Sequence, residues 1–395
     1  MKPSIRSHGV PSFPYWWLSG FYLVYFMVTG AFIPYWGLYL NQLGYTPVII
    51  GLLMALPMAT KIVAPFFWGW LADRKAQRIR FVRLGTGLAA LSFSVLFIDH
   101  SLFWLALVIA TFSFFWNAVL PQFEAVTLGH LGSADHHYSR IRLWGSIGFV
   151  VSVILLGWLF GMVAVSWLVP VLAGLLALLW LSSLLVPSPP AEAHDSLGNE
   201  RFWAVLRRPA VAALLVTCLL LQASHGPYYA FFTLYLREHG YASALIGQLW
   251  ALGVVAEIIV FVYMPRLLLR FGARRLLLFA LLATVARWLL IATEVDHLGV
   301  LVFSQTLHAA SYGVYHASAI HLINRYFPGR LQGRGQALYS SASFGLGGAL
   351  GALASGYIWS GVSPAASFFL GAIFAACGWG VAYAGIETGK GHVLD

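Results

Sequence analysis

The chain has 395 residues, 60% of them apolar and only 9% charged, with a net charge of +10. A water-soluble globule of this length needs far more charge on its surface, so the composition excludes one and makes lipid the solvent. The basic excess collects in loops on one side of the apolar spans, which answers to membrane topology and not to nucleic acid.

Apolar stretches of about 20 residues, enough helix to cross roughly 30 Å of hydrocarbon, recur along the whole chain. The spans must be helical, because unpaired backbone groups are costly in hydrocarbon. The pattern predicts helices over 15–40, 47–71, 80–99, 101–130, 140–161, 165–186, 210–236, 243–268, 273–294, 298–325, 335–358 and 363–386. The first follows Lys2 and Arg6 but outruns a signal peptide and lacks a small-residue cleavage pattern, so it is expected to be retained. The only cysteines, Cys218 and Cys377, sit in apolar spans and suggest no disulfide framework.

Of 23 Lys and Arg, twenty fall on one side: Lys2 and Arg6, then the groups Arg74 to Arg83, Arg140 and Arg142, Arg201 to Arg208, Arg266 to Arg275, Arg325 to Arg334, and Lys390. Only Arg237 falls in a loop on the other side. By the positive-inside rule both termini are expected in the cytoplasm and the protein in the inner membrane.

The sequence repeats itself. Leu38-Tyr39-Leu40, Gly44-Tyr45 and Ile50-Gly51 recur as Leu234-Tyr235-Leu236, Gly240-Tyr241 and Ile246-Gly247, always at an offset of 196. At that offset the basic loop from Gly69 to Arg78 meets the basic loop from Pro265 to Arg274. Matches in register half a chain apart predict a duplicated six-helix unit. The fold class expected is an all-α membrane protein of twelve transmembrane helices in two pseudo-symmetric six-helix bundles. The bundles are residues 1–186 and 210–395, joined by a cytoplasmic linker, 187–209, with a short amphipathic helix after its Pro-rich start.

Here the chain resembles the major facilitator superfamily over essentially its whole length. Gly69-x3-Asp73-Arg74 is similar to that family's signature between the second and third helices, with Ala76 and Gln77 where Gly and Arg are usual. The resemblance implies a gating role for Asp73 and Arg74. Arg142-Leu-Trp-Gly-Ser146, Gly253-Val-Val-Ala-Glu257, Arg287-Trp288 and His308 resemble the phenylpropionate permease group, and the same framework is similar to the lactose permease. Alternating-access transport coupled to protons is what these resemblances imply.

Ionisable side chains at mid-membrane are costly and so become functional candidates. The carboxylates in spans are Glu124 and Glu257; the cations are Lys61, Arg287 and, one turn into the fifth helix, Arg142, joined by His225, His308 and His316. Helical spacing gathers three polar stripes: Gln305, His308, Tyr312 and Tyr315; Gln222, His225 and Tyr229; and Asn117, Pro121 and Glu124. Such stripes must face protein or water.

Lys61 and Glu257 are related by the repeat offset, so they are expected at equal depth, facing each other across a pathway. One reading makes Lys61 the anchor for a substrate carboxylate and Glu257 the proton carrier; the other makes them a structural ion pair. By resemblance to the lactose permease, Glu124 and Arg142 are expected to grip a solute and Phe149 to stack on it. Snorkelling to water at the helix ends is the alternative. That family also carries an acid where this chain has Ser311, which leaves proton binding to Glu257, tuned by Arg287 and His308. His308 is expected either to titrate or to be a core histidine bonded to a hydroxyl. His136-His137 reads as a solvated turn and not a metal site. Gly345, Gly347, Gly348, Gly351, Ser355 and Gly356 form a small-residue surface for close helix packing. Tyr25, Tyr228 and Tyr229 at mid-depth suit a ring-bearing solute.

No phosphate loop, HExxH, CxxC or GxSxG is present, so neither a nucleotide-driven pump nor an enzyme is expected. No cofactor or metal is expected. The partners expected are a small solute, a proton and lipid, for a monomer. An aryl acid such as phenylpropionate is the leading substrate class. A sugar or nucleoside, and uncoupled or antiport exchange, remain open.

Overall fold

A computed structural model describes residues 13–75, 77–189 and 200–387. All its regular structure is helical. Among the described residues eleven helices are long and apolar enough to span a membrane: α1 (Tyr15–Gln42), α2 (Pro47–Ala72, continuing to Lys75), α3 (Arg78–Phe97), α4 (Leu102–Leu131), α5 (Tyr138–Leu159), α6 (Val165–Leu185), α7 (Pro209–Glu238), α8 (Ser243–Phe271), α9 (Ala273–Thr293), α11 (Gln332–Gly361) and α12 (Pro364–Gly385). The remaining segment, α10, covers 298–326 as Leu298–Thr306, a π-turn at Ala309–Val314, and Tyr315–Tyr326. A second π-turn, Ser341–Gly347, widens α11. The outer surface is apolar, with Leu269, Phe103 and Val262 turned fully outward, as a lipid-solvated protein requires.

The repeated sequence folds into repeated geometry. Gly44 and Gly240 end α1 and α7 in the left-handed region, at φ 85° and 80°. Glycine adopts this conformation without a Cβ penalty. The following Tyr45 and Tyr241 amides bond back to Leu40 and Leu236 carbonyls, the six-to-one bond of a helix stop. The Tyr45 hydroxyl then donates to the His100 carbonyl and the Tyr241 hydroxyl to that of Val295, both at 2.7 Å. At the other end of the molecule Arg83 holds the Ser183 and Val186 carbonyls at the end of α6, while Arg274 holds the Tyr383 and Ile386 carbonyls at the end of α12.

Within the first six helices α1 packs on α5 and α6, and α4 on α2 and α3; in the second six, α12 packs on α7 and α9. The halves meet where α2 lies on α11, α5 on α8, and α1 on α7. The crossing points are glycines. A Cβ on Gly51 would stand 2.7 Å from the Ala352 carbonyl and 3.1 Å from Gly356, and one on Gly247 would stand 2.3 Å from the Val153 carbonyl. Gly157 closes on Gly247 in the same way. The Ile-Gly pair of the repeat is thus the point where each half touches the other, near the end remote from the basic loops. The small-residue surface of α11 is equally engaged, with Gly347 and Gly351 against the α7 backbone.

Between the halves, the helix Glu200–Leu206 buries Phe202 and Val205 and leaves Trp203 outward. Residues 190–199 of the expected linker, with Lys2, Arg6 and Lys390, lie outside the described residues.

Candidate functional site

The centre of the second half is built on Arg287, which α9 carries into complete burial. Its Nε donates to the Ser304 carbonyl at 3.1 Å, Nη1 to His308 Nδ1 at 2.9 Å and to Ser311 Oγ at 3.1 Å, and Nη2 to Gln305 Oε1 at 3.2 Å. Tyr228 and Trp288 lie against the guanidinium at 4.3 and 4.6 Å. A buried cation needs both hydrogen bonds and compensating charge. The neutral acceptors come from α10, and the negative charge is held one residue away.

That charge is Glu257 on α8, whose Oε2 lies 3.4 Å from His308 Nε2. Gly253 and Gly313 let α8 and α10 approach closely enough, since a Cβ on either would press on His308 or Glu257 at 3.3 Å. His308 Nδ1 receives an Arg287 proton, so the ring's own proton belongs on Nε2, aimed at Glu257. One imidazole therefore joins an acid to a buried cation, and a change at either end is felt at the other. Ser311, standing where the lactose permease has an acid, supplies a neutral oxygen to Arg287 instead.

The α10 stripe differs from its expected form. An α-helical count puts Gln305, His308, Tyr312 and Tyr315 on one face. The π-turn from Ala309 adds a residue to that turn, so beyond it the face advances by one position. His308 stacks on Tyr312 at 5.4 Å and Tyr312 on His316 at 5.8 Å. Tyr315 is turned into the core, where its hydroxyl accepts from Tyr339, itself 3.1 Å from His316 Nδ1. Tyr339 went unnoticed in the sequence, as did Ser304; neither spacing nor charge marks them.

On α7 the stripe of Gln222, His225 and Tyr229 stays together. The helix is interrupted at His225, whose Nδ1 bonds the Leu221 carbonyl at 2.9 Å and whose ring stacks on Tyr229 at 5.8 Å. Tyr228 donates to Gln305 Oε1 and packs on Trp250 at 4.3 Å, and Phe149 of α5 reaches Trp250 at 6.5 Å. Aromatic rings from both halves thus line one centre.

In the first half, Arg142 lays its guanidinium over Phe26 at 4.0 Å and Tyr22 at 5.7 Å. Arg142 and Tyr138 act on the Glu124 carboxylate, and Arg142 also acts on Glu257 across the interface. Among the described residues, no ion pair within 4 Å forms between Glu124 and Arg142 or at Lys61. Lys61 is half-buried on α2, and the side chain in contact with the Glu257 carboxylate is His308. The alternative of a structural ion pair between Lys61 and Glu257 is not seen within 4 Å, since equal depth in a repeat does not fix where long side chains reach. Asn117 is tied to α2 through the Pro57 carbonyl and Thr60, at 2.7 and 2.8 Å, away from Glu124. Arg74 stacks on Trp70 at 4.1 Å at the basic end. The side chains of Asp73 and His136 lie outside the described residues.

The comparisons agree with this architecture. Residues 15–370 match the family described as MFS_1 like family. The chain is 32% identical over 340 residues to the Probable 3-phenylpropionic acid transporter of Escherichia coli (strain K12), covering 83% of this chain and 87% of that one. It is 31% identical over 345 residues to the Maltose permease of Geobacillus stearothermophilus, covering 86% of each. The crystal structure of nucleoside transporter NupG superposes with a TM-score of 0.80 at 20% identity, over 94% of this chain and 97% of that one.

Proposed function

The chain belongs to the MFS_1 like family, a group of major facilitator transporters, and from that premise we propose that it carries an aryl carboxylic acid together with a proton by alternating access. The observation that carries the coupling is Glu257, an acid at the centre of the second half, 16% exposed, whose link to buried Arg287 runs through one imidazole. An acid so placed can hold a proton while the pathway faces one side and release it when the electrostatics around it change. His308 and Arg287 are the groups that change them.

The aryl-acid class rests on two features. Among the described residues neither Lys61 nor Arg142 has an acid within 4 Å, so either can offset a solute carboxylate. Tyr228, Tyr229, Tyr312, Trp250 and Phe149 supply flat apolar faces at the centre. A relative named for 3-phenylpropionic acid fits that lining. Glu124 with Arg142 favours a second reading, a neutral polyol such as a sugar or nucleoside, in line with the relative named Maltose permease. The bundles are taken as 1–186 and 210–395, with Asp73 and Arg74 acting as a gate, the basic end in the cytoplasm, and the protein a monomer in the inner membrane.

Proteoliposomes test both parts. Labelled 3-phenylpropionate is expected to accumulate when the outside is made acidic and to leak away on adding a protonophore. Uptake indifferent to the protonophore refutes coupling, and uptake of maltose or uridine in its place refutes the substrate class.

A further inference from the structure

Two buried acceptors on α7 are left without donors. His225 is fully buried, and its Nδ1 lies 2.9 Å from the Leu221 carbonyl. A carbonyl only accepts, so Nδ1 carries the ring proton and Nε2 of the neutral ring presents a lone pair. That Nε2 has no partner, and neither has Oε1 of Gln222, one turn earlier on the same face and itself 3% exposed. Two acceptors cannot satisfy each other. Buried groups of this kind are nearly always paired, and leaving them dry is expensive.

Three aromatic rings surround the His225 imidazole. Tyr229, Trp288 and Tyr312 lie at ring distances of 5.8, 5.0 and 6.4 Å. Tyr229 also borders a narrow gap among α2, α7 and α11, together with Met54, Met58 and Gly348. Tyr229 both borders this gap and stacks on His225, so access to His225 from the gap would require a swing of the Tyr229 ring. Met54, Met58 and Lys61 follow helical spacing down one face of α2, and Lys61 and His225 each lie near the middle of their helices.

Resting on the aryl-acid reading, we propose that His225 Nε2 and Gln222 Oε1 form a subsite of two acceptor atoms that selects solutes with a hydrogen-bond donor. The preferred substrate is then a hydroxylated aryl carboxylic acid, with its carboxylate at Lys61, its ring between the α2 methionines and Tyr229, and its hydroxyl donating to His225 and Gln222. A subsite built to bond a hydroxyl discriminates strongly against an analogue that lacks the donor, because the protein's own groups are then left unpaired.

Competition for uptake in proteoliposomes of the full-length protein tests this, using labelled 3-phenylpropionate against its ring-hydroxylated isomers and the matching methyl ethers. A methyl ether keeps the oxygen and loses the donor. At least one hydroxy isomer is expected to compete at least about tenfold better than its own ether. The ratio is expected to fall towards one in His225→Phe and in Gln222→Met, and either variant suffices if the other fails to insert. Equal potency of phenol and ether in the unmodified protein, with aryl acids still transported, overturns the subsite and means that water fills it. A preference that survives both substitutions overturns it too, since the hydroxyl is then read elsewhere. If no aryl acid competes or shifts the melting temperature, the aryl-acid reading fails and this inference with it, a pattern distinct from the other two.

Discussion

Gly247→Ala places one methyl group where the halves touch. The new Cβ would stand 2.3 Å from the Val153 carbonyl oxygen and 3.1 Å from the Tyr35 hydroxyl. That oxygen cannot step aside, because Tyr35 donates to it at 2.6 Å and it is part of the α5 backbone. Ordinary carbon–oxygen contact needs about 1 Å more, so α5 and α8 must part or tilt at this end. Overpacking of this kind costs about 1–3 kcal/mol. The cost falls on the conformation in which this end is shut, so the balance between shut and open shifts about 5- to 150-fold towards open. Ala230 on α7 is buried behind the same closure, its carbonyl against Gly37. The assay is labelling of Ala230→Cys, with Cys218 and Cys377 changed to alanine, by a membrane-impermeant maleimide applied to intact cells. Adding Gly247→Ala is expected to raise the labelling rate at least fivefold, and Gly51→Ala, the repeat equivalent, is expected to act in the same direction. An unchanged rate in folded, inserted protein would refute the idea that these glycines set the closure.

Further outcomes follow from the central network. Glu257→Gln keeps the shape and removes the titratable group, so gradient-driven accumulation should vanish while solute exchange down a gradient persists; accumulation against a gradient would move the proton site to His308. Arg287→Lys offers three donors in place of a rigid fork and leaves buried acceptors on α10 unmet, each costing about 1–3 kcal/mol. A lower melting temperature in detergent together with lost coupling is expected, and a variant as stable as the parent would contradict the described bonding. Lys61→Ala should weaken binding of anionic solutes more than of neutral ones, read by competition; equal loss would remove Lys61 from carboxylate recognition. Tags after Arg207 and at the C-terminus should be protected in intact cells and one near Arg237 accessible, and the reverse pattern would invert the proposed topology.

Much of this was legible in the sequence because lipid imposes simple rules. Span length and basic loops place the helices to within a few residues, and the 196-residue register marks the helix stops at Gly44 and Gly240 and the crossings at Gly51 and Gly247. The grouping of Glu257, Arg287 and His308 was also recoverable, since few ionisable groups lie within the spans. Tyr315 lies off the expected stripe because no residue signal announces a π-turn, and the repeat does not decide between the two readings of Lys61 and Glu257 because it fixes backbone depth and not the reach of a side chain. Partners contributed by backbone, such as the Ser304 carbonyl, carry no sequence mark.

The π-turn in α10 ties the identity of the α10 face to the winding of one turn as well as to its sequence. Rewinding Ala309–Val314 as α-helix with no residue lost would rotate everything beyond it by about 100° about the helix axis. The residue aligned below Tyr312 would then be Tyr315 and not His316, and a basic ring would be exchanged for a phenol with the sequence unchanged. Loss of one residue within the turn acts differently: it closes the turn to α-helical winding and leaves His316 on the face it now holds.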